Sequence, residues 1–478
     1  MLPKPRECQN CPAYGDGQGF VPDEIKPQAK VVVYMQGPGE DEEAGRRYLG
    51  NNQYESHPYA PAIGRMGRMM ERVFLPLAGL NREDISLANT LRCRWNHKNI
   101  LPSVHRKELQ QAVAHCTQMH WRVPEGAKII VAMGEYAFYA TTGLLHDFSG
   151  WRGYMLRYQP PGVSRIPMTD IWKPEPRDLP VYVTHHLAYL WKEPEAELPA
   201  KRDWNKLASI LDGTWPETLK LSEINPHLDL WPSDSAFDTE YEPDSKRLVR
   251  YSVATRDRQV WVVETPDQRI QATIPPGATI IMHNAPADLP YLPADLEGVT
   301  IEDTMYAHAV VWTGKVETDE DKGKGGGAMS HKLNFLGSMY ARLNRWKHLM
   351  RIAPRLYSGA DALGTMQVWC TGMRGGILGE LERDPLSKWV YENLQKPLIW
   401  IILKNKKRGI SSDQEAAKLA LKEVKAIQDA ASLRAQAYTG WPINIKSPKQ
   451  LAFWLFQVEH LRAKRQPFAG IGGLRGQR

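Results

Sequence analysis

Three short apolar runs constrain this chain more than anything else in it: AKVVVYM (29–35), AKIIVAM (127–133) and LPVYVT (179–184). Each breaks off at Gly, Glu or His, and each is too short for a core helix. Runs of this kind, bounded by turn residues and separated by helical patterns, predict strands of an α/β layer. GRMGRMMERVFLPLAGL (64–80) supplies such a helical pattern between the first two. A second α/β block follows, with SAFDTE, RLVRYSVATRD and RQVWVVET as consecutive strands. Between the blocks, DGTWPETLKLSEINPHLDLWPSDS (212–235) is rich in Pro and Trp and reads as a linker or docking strap.

The stretch 314–330 is Gly-rich and charged, the pattern of a mobile loop, and from about 378 the pattern turns helical. The long segment ending YTG opens on a Ser412-x-x-Glu415 capping box and closes on Gly440. At 478 residues the chain exceeds one core, and no internal repeat is present. The expected division is an α/β domain over 1–212, a linker over 213–228, a second α/β domain over 229–378 and a helical segment over 379–478.

The bulk properties exclude several classes. The longest aliphatic and aromatic run, LIWIIL (398–403), falls far short of a bilayer span, and the start lacks the apolar core of a signal peptide. Five cysteines in a chain this long do not make a disulfide scaffold and point to a reducing cytoplasm. A net charge of +7 is compatible with a polyanionic partner without requiring one.

The acidic residues of the second block are placed unusually. Asp238 and Glu240 lie two apart at a strand end, so both side chains point the same way. Two like charges side by side are costly unless a cation lies between them. Asn284 and Asp288 lie four apart after an apolar strand, and Tyr357 and Asp361 lie four apart on one helix face. Asp303, at another strand end, reads as a cap.

In order and spacing these blocks resemble the DEDD 3′–5′ exonuclease superfamily in its tyrosine-bearing branch, the proofreading type found on family A DNA polymerases. The resemblance covers roughly residues 229 to 370. It implies a ribonuclease H-like fold in which Asp238, Glu240, Asp288 and Asp361 hold two Mg²⁺ or Mn²⁺ ions. It also implies that Tyr357 orients the attacking water, that Asn284 meets DNA, and that 5′-mononucleotides leave a single-stranded or frayed 3′ end.

In the first block, Cys8 and Cys11 form a C-x-x-C, with Cys93 and Cys116 further on. Four thiolates can hold Zn²⁺ or an iron–sulfur cluster, and spacing alone does not choose. The order of YMQGPGEDEEAG, NTLRCR, MGEYAFYATTG, WRGYML and VTHHLAYLWKEP resembles the iron–sulfur uracil-DNA glycosylases of families 4 and 5, over about residues 5 to 207. That resemblance implies a [4Fe–4S] cluster on the four cysteines and a base pocket bounded by Gln36, Gly37, Pro38 and Gly39. It further implies that Asn89 contacts the base and that His186 matches the histidine of the closing motif.

Three positions depart from the family pattern. Gln36 stands in place of an acidic residue, Ala62 in place of a base-stacking Phe, and Leu187 in place of the Pro after the histidine. Stacking of a flipped base contributes about 1–3 kcal/mol. The departures imply a DNA-binding domain without base excision unless Glu40, Asp41 or Glu42 compensates.

Near the end, QKPLIWIILKNKKRGISSDQEAAKLALKEV and YTGWPINIKSPKQLAFWLF resemble the segment joining exonuclease to thumb in family A polymerases. Nothing after residue 456 reads as a palm, so polymerisation by this chain alone is not expected. FAGIGGLRGQR reads as a basic tail. The leading reading is a DNA-replication exonuclease of a kind suited to a bacteriophage replisome in its host's cytoplasm. A uracil-repair enzyme with an accessory exonuclease is the second reading. A non-enzymatic clamp or assembly subunit of a separate polymerase is the third.

Overall fold

The computed structural model describes residues 2–15, 17–95, 105–120, 123–159, 179–266, 269–293, 296–312, 330–409 and 413–458. It is an α/β, multidomain architecture built on two main sheets with a helical C-terminal segment.

The three opening runs form strands of the first sheet: β1 (Val31–Met35), β3 (Ile129–Met133) and β5 (Pro180–Thr184). They are joined by β2 (Ile85–Asn89) and β4 (Met155–Arg157) in the order β2-β1-β3-β5-β4. All pairs are parallel except β4 with β5. Every residue of β1, β2 and β3 is buried, which is why β1 and β3 are uninterruptedly apolar: helices cover both faces of a parallel sheet. The register Met35↔Asn89 and Met133↔Thr184 brings Gln36, Asn89, Gly134 and His186 to one edge, the carboxyl ends of the strands. Open α/β sheets bind ligands at that edge.

The second sheet has the order β6-β9-β8-β7-β10-β11. Its strands are β6 (Ile224–Asn225), β7 (Asp234–Tyr241), β8 (Leu248–Thr255), β9 (Val260–Glu264), β10 (Thr279–Met282) and β11 (Thr300–Asp303). The meander β7-β8-β9 is antiparallel, and β10 and β11 add in parallel on the other side of β7.

Residues Met1–Leu403 form one compact unit, so the two α/β layers, expected as separate domains, share a body. The seam is polar. Buried Arg152 pairs with Asp203 and donates to Ser338 Oγ, while Tyr154 donates to the Asn334 carbonyl at 2.7 Å. The Trp-bearing strap belongs to the packing: Trp215 and Trp231 are both buried, and the Trp231 indole donates to Ser235 Oγ at 2.8 Å.

The second unit, Lys404–Arg478, carries the helix Gln414–Thr439, none of whose residues is buried. Its N-cap is Asp413, which accepts from the amides of Glu415 and Ala416 at 3.0 Å, one residue later than the capping box predicts; Ser412 lies outside the described residues. Gly440 ends the helix in the left-handed region, as its spacing predicts. Lys404 to Arg408 are exposed. Most of the Gly-rich stretch 314–330 and all of FAGIGGLRGQR also lie outside the described residues. Among those described, no helix is long and apolar enough to cross a membrane.

Candidate functional site

Two places gather chemistry. The first lies on β7 and the helix Pro354–Met366, which packs across it. Gly359 lets that helix approach closely: a Cβ there would sit 3.1 Å from Ile224 and Val260 side chains. One helical turn separates Tyr357 from Asp361, and both turn toward the strand.

Asp238 lies opposite Ser252 and Glu240 opposite Arg250, and pairing shifts after Glu240 through a bulge. Bulges re-aim side chains at strand ends. The ligand oxygens of Asp238, Glu240 and Asp361 come within 4.8 Å of one another, the one such triad of potential metal ligands among the described residues.

This clustering is electrostatically costly. Burial first, and then the charges of Asp361, Asp288 and Glu240, hold the Asp238 carboxyl well above the usual carboxylate range. Burial and the Asp361 charge push Glu240 up to about 7. The Tyr357 phenol is raised by burial, then by Asp361, and stays un-ionised.

Lys347 is the cation in contact with the group: its ammonium bonds Asp361 and lies 3.3 Å from the Tyr357 hydroxyl. The Trp346 indole donates to Asp361 Oδ1 at 2.7 Å. Three carboxylates against one ammonium is a set of hard oxygen donors that fits Mg²⁺ or Mn²⁺.

The predicted four-carboxylate cage is therefore a triad with Asp288 beside it. Asp288, at the end of the short helix Ala285–Asp288, accepts from the Thr239 hydroxyl; burial pushes it up to about 7 against that bond. Asn284 takes a left-handed conformation at φ 65° and starts that helix. Its amide and that of Ala285 donate to Asp303 at 3.3 and 2.5 Å. Asp303 also caps the helix Thr304–Val311, at 2.7 and 3.1 Å from two amides, which is the capping role its sequence position predicts. Trp346 and Lys347 escaped the sequence reading because no spacing ties them to Asp361, 15 and 14 residues on.

The second place is the amino-terminal layer. Cys8, Cys11, Cys93 and Cys116 line one small cavity together with Lys4, Arg92 and His115, and none is in a disulfide. Burial pushes the Cys8 thiol up to about 11 and Cys93 to about 12, and neighbouring thiols add to both. Since the carboxylate triad is the one group whose donors lie within 4.8 Å of one another, no three of these sulfurs do. A single tetrahedral zinc with bonds of about 2.3 Å holds its sulfurs roughly 3.8 Å apart; a cuboidal cluster holds them further apart. His120, one turn after Cys116 on the helix Lys107–His120, lies 3.1 Å from Cys8 Sγ, and the Arg92 guanidinium lies 3.7 Å from Cys116 Sγ. The i, i+4 spacing of Cys116 and His120 was the available signal for the first.

At the sheet edge, Asn89 Nδ2 and His186 Nε2 are buried without a hydrogen-bond partner, and burial lowers His186 to about 4. Gln36 follows β1 and bonds the Tyr136 hydroxyl. Pro38 is buried, and Gly37 and Gly39 lead into the helix Glu40–Ala44.

Every member of the acidic run there has a partner. Glu40 pairs with Arg94 at 2.8 Å, Asp41 with Arg46 at 2.7 Å, and Glu43 with Arg94 at 3.3 Å. Buried Glu42 accepts from the amides of Gly39 and Ala62 at 2.7 and 2.6 Å. Ala62 itself is buried at φ 54°.

Residues 22–209 match the family description "Uracil DNA glycosylase superfamily". This layer is similar to the members of that superfamily over the matched residues. It is similar to the type-4 uracil-DNA glycosylase of Saccharolobus solfataricus, 25% identical over 134 residues, which is 28% of this chain and 53% of that protein. The chain thus spans about half the length of that relative. The type-4 enzyme of Sulfurisphaera tokodaii is 20% identical over 210 residues, 42% of this chain and 80% of that protein. A solved structure described as the POL domain of Pol1 from M. smegmatis in complex with DNA primer-template and dNTP is 19% identical at a TM-score of 0.32, covering 47% of this chain and 36% of that one. So distant a likeness does not bear on fold.

Proposed function

We propose that this protein is a metal-dependent 3′–5′ exodeoxyribonuclease serving DNA replication, with a glycosylase-like domain that binds DNA and holds a [4Fe–4S] cluster. The observation that carries the first part is the convergence of Asp238, Glu240 and Asp361 within 4.8 Å of one another, one helical turn from Tyr357. Those three carboxylates hold the divalent cations, with Asp288 contributing beside them. Bound there, two such ions would neutralise charge developing on the phosphodiester and lower the pKa of the attacking water.

The residues of the chain do the rest. Tyr357 keeps its proton and orients the water by a hydrogen bond. Trp346 and Lys347 fix one Asp361 oxygen so that the other faces the substrate side. Attack on phosphorus breaks the bond to the 3′ oxygen, solvent protonates that oxygen, and a nucleoside 5′-monophosphate leaves. A polyanionic strand suits the net charge of +7.

The absence of base excision rests on the partners of the acidic run. Gln36 is neutral and tied to Tyr136, and Glu40, Asp41, Glu42 and Glu43 all have partners. Within that run the buried Glu43 Oε1 alone lacks a hydrogen-bond partner, and Glu43 is held by Arg94 through its other oxygen. The cluster rests on four thiols in one cavity, spaced too widely for one zinc ion.

Degradation of 3′-labelled single-stranded DNA in Mg²⁺ tests the nuclease. It should proceed in the wild type and stop in Asp238→Ala; persistence in the variant rejects the assignment. Equal iron and sulfide in anaerobically purified protein supports the cluster, and stoichiometric zinc rejects it. Release of free uracil from a uracil-containing duplex, lost in His186→Ala, would reverse the reading of the first domain.

A further inference from the structure

One short segment touches both layers: residues 344, 345 and 348 meet the first, and residues 346 and 347 meet the second. Asn344 exchanges two hydrogen bonds with the backbone of Met155 in the glycosylase-like domain: the Met155 amide donates to Oδ1 at 3.0 Å, and Nδ2 donates to the Met155 carbonyl at 3.1 Å. Arg345 pairs with Asp147 of the same domain at 2.5 Å and lays its guanidinium over the Trp151 ring at 4.4 Å. His348 packs on the other portion of that contact, with ring centroids 5.6 Å apart.

The two residues between them face the carboxylates. Trp346 donates to Asp361 at 2.7 Å, and Lys347 bonds Asp361 while its ammonium lies 5.0 Å from the centre of the Tyr357 ring. The Trp346 indole has one available position, because it lies against the backbones of Gly337 and Gly364, where a Cβ would come within 2.7 and 2.6 Å of the ring.

We infer that Asn344, Arg345 and His348 are positioning residues that set the carboxylate site from the glycosylase-like domain, through Trp346 and Lys347 on Asp361. The inference rests on the exonuclease reading. Its physical content is that Asp361 alone has no means of choosing a rotamer against the repulsion of Asp238 and Glu240. The indole and ammonium choose it, and they are held by anchors on the other layer. The glycosylase-like domain is thus part of the nuclease's framework, whatever it does with its own pocket. Groups that orient a metal ligand typically contribute 10–100-fold in metal affinity; an anchor one residue further out should contribute less.

Binding of Mn²⁺ to the full-length protein, followed by the electron paramagnetic resonance of the free ion, provides the test. Asp147→Ala, at a half-exposed side chain on the other layer, and Arg345→Asp should each raise the Mn²⁺ concentration for half-saturation roughly threefold. The same variants should raise the Mg²⁺ requirement of the nuclease in step. The exchanged pair Asp147→Arg with Arg345→Asp should restore both, which a general loss of packing would not do. Wild-type binding in both single variants, or failure of the exchange to restore it, overturns the inference and leaves the exonuclease reading standing. Absence of Mn²⁺ binding to the wild type overturns both.

Discussion

Two acidic clusters in this chain look alike in sequence and differ in physics. Residues 40–43 place four acids in a row, and the fold answers each with an arginine or with backbone amides. Asp238, Glu240 and Asp361 come from distant segments, and the fold answers them with the single ammonium of Lys347. In the first cluster the charge holds a loop in shape. In the second, burial and mutual repulsion keep the Asp238 and Glu240 carboxyls protonated above their usual range, a cost that persists only where something absent from the chain relieves it. A local density of acids therefore says little until its partners are counted.

The largest test of that contrast is activity. Asp238→Ala should lower Mg²⁺-dependent removal of 3′ nucleotides on the order of a thousandfold, the loss of several kcal/mol of charge stabilisation. Glu42→Ala should leave the rate on single-stranded DNA within about twofold, since that carboxyl faces two amides of its own loop. A comparable loss in both would erase the distinction.

Stability should separate the clusters with opposite signs. Glu42→Ala strands the buried amide of Ala62 and removes the acceptor of the Gly39 amide, a loss of about 1–3 kcal/mol in urea unfolding. Asp238→Asn in metal-free protein removes a buried group that must ionise at alkaline pH and should stabilise it there by about 1 kcal/mol. The pH dependence follows from the same source. The folded-state value of Glu240 is raised from 4.5 to about 7, so its contribution is fully present below pH 4.5 and is lost as pH rises through about 7. Metal-free protein should lose stability across that window, where Glu42 is also raised to about 7 by burial, and saturating Mg²⁺ should remove only the share that belongs to Glu240.

Ala62→Phe, which restores the family's stacking ring, should fail on structural grounds. The position is buried at φ 54°, a conformation already strained for Ala, and a ring there overpacks the site at a cost of about 1–3 kcal/mol. Thermal unfolding should drop, and uracil release should not appear.

These contrasts also explain what the sequence could carry. The strands were legible because burial on both faces of a parallel sheet leaves uninterrupted runs such as VVVYM and IIVAM. Asp238, Glu240 and the Tyr357–Asp361 pair were legible because strand and helix periods fix which residues share a face. The cap at Asp413 was missed by one residue because Ser412 satisfied the same pattern. The seam was invisible: Arg152 and Ser338, Tyr154 and Asn334, and Met155 and Asn344 meet across more than a hundred residues of chain, and nothing periodic links them. The fates of Glu40 to Glu43 were hidden for the same reason, since Arg94 and Ala62 lie far along the chain.

Lys347 offers the finest probe. Its charge favours the ionised forms of Asp238 and Glu240, while burial and their neighbours oppose them. Lys347→Met removes that support and leaves the side-chain volume, so both carboxyls should protonate at higher pH. Only the ionised forms hold a divalent cation. The acid limb of the Mg²⁺-dependent rate should accordingly move upward by about one pH unit. Above the shifted limb the variant should approach the wild type, because the carboxyls are then ionised with or without the ammonium. A rate depressed equally at every pH would instead assign Lys347 to substrate contact, and an unshifted limb would mean that the ammonium and the carboxylates do not share a field.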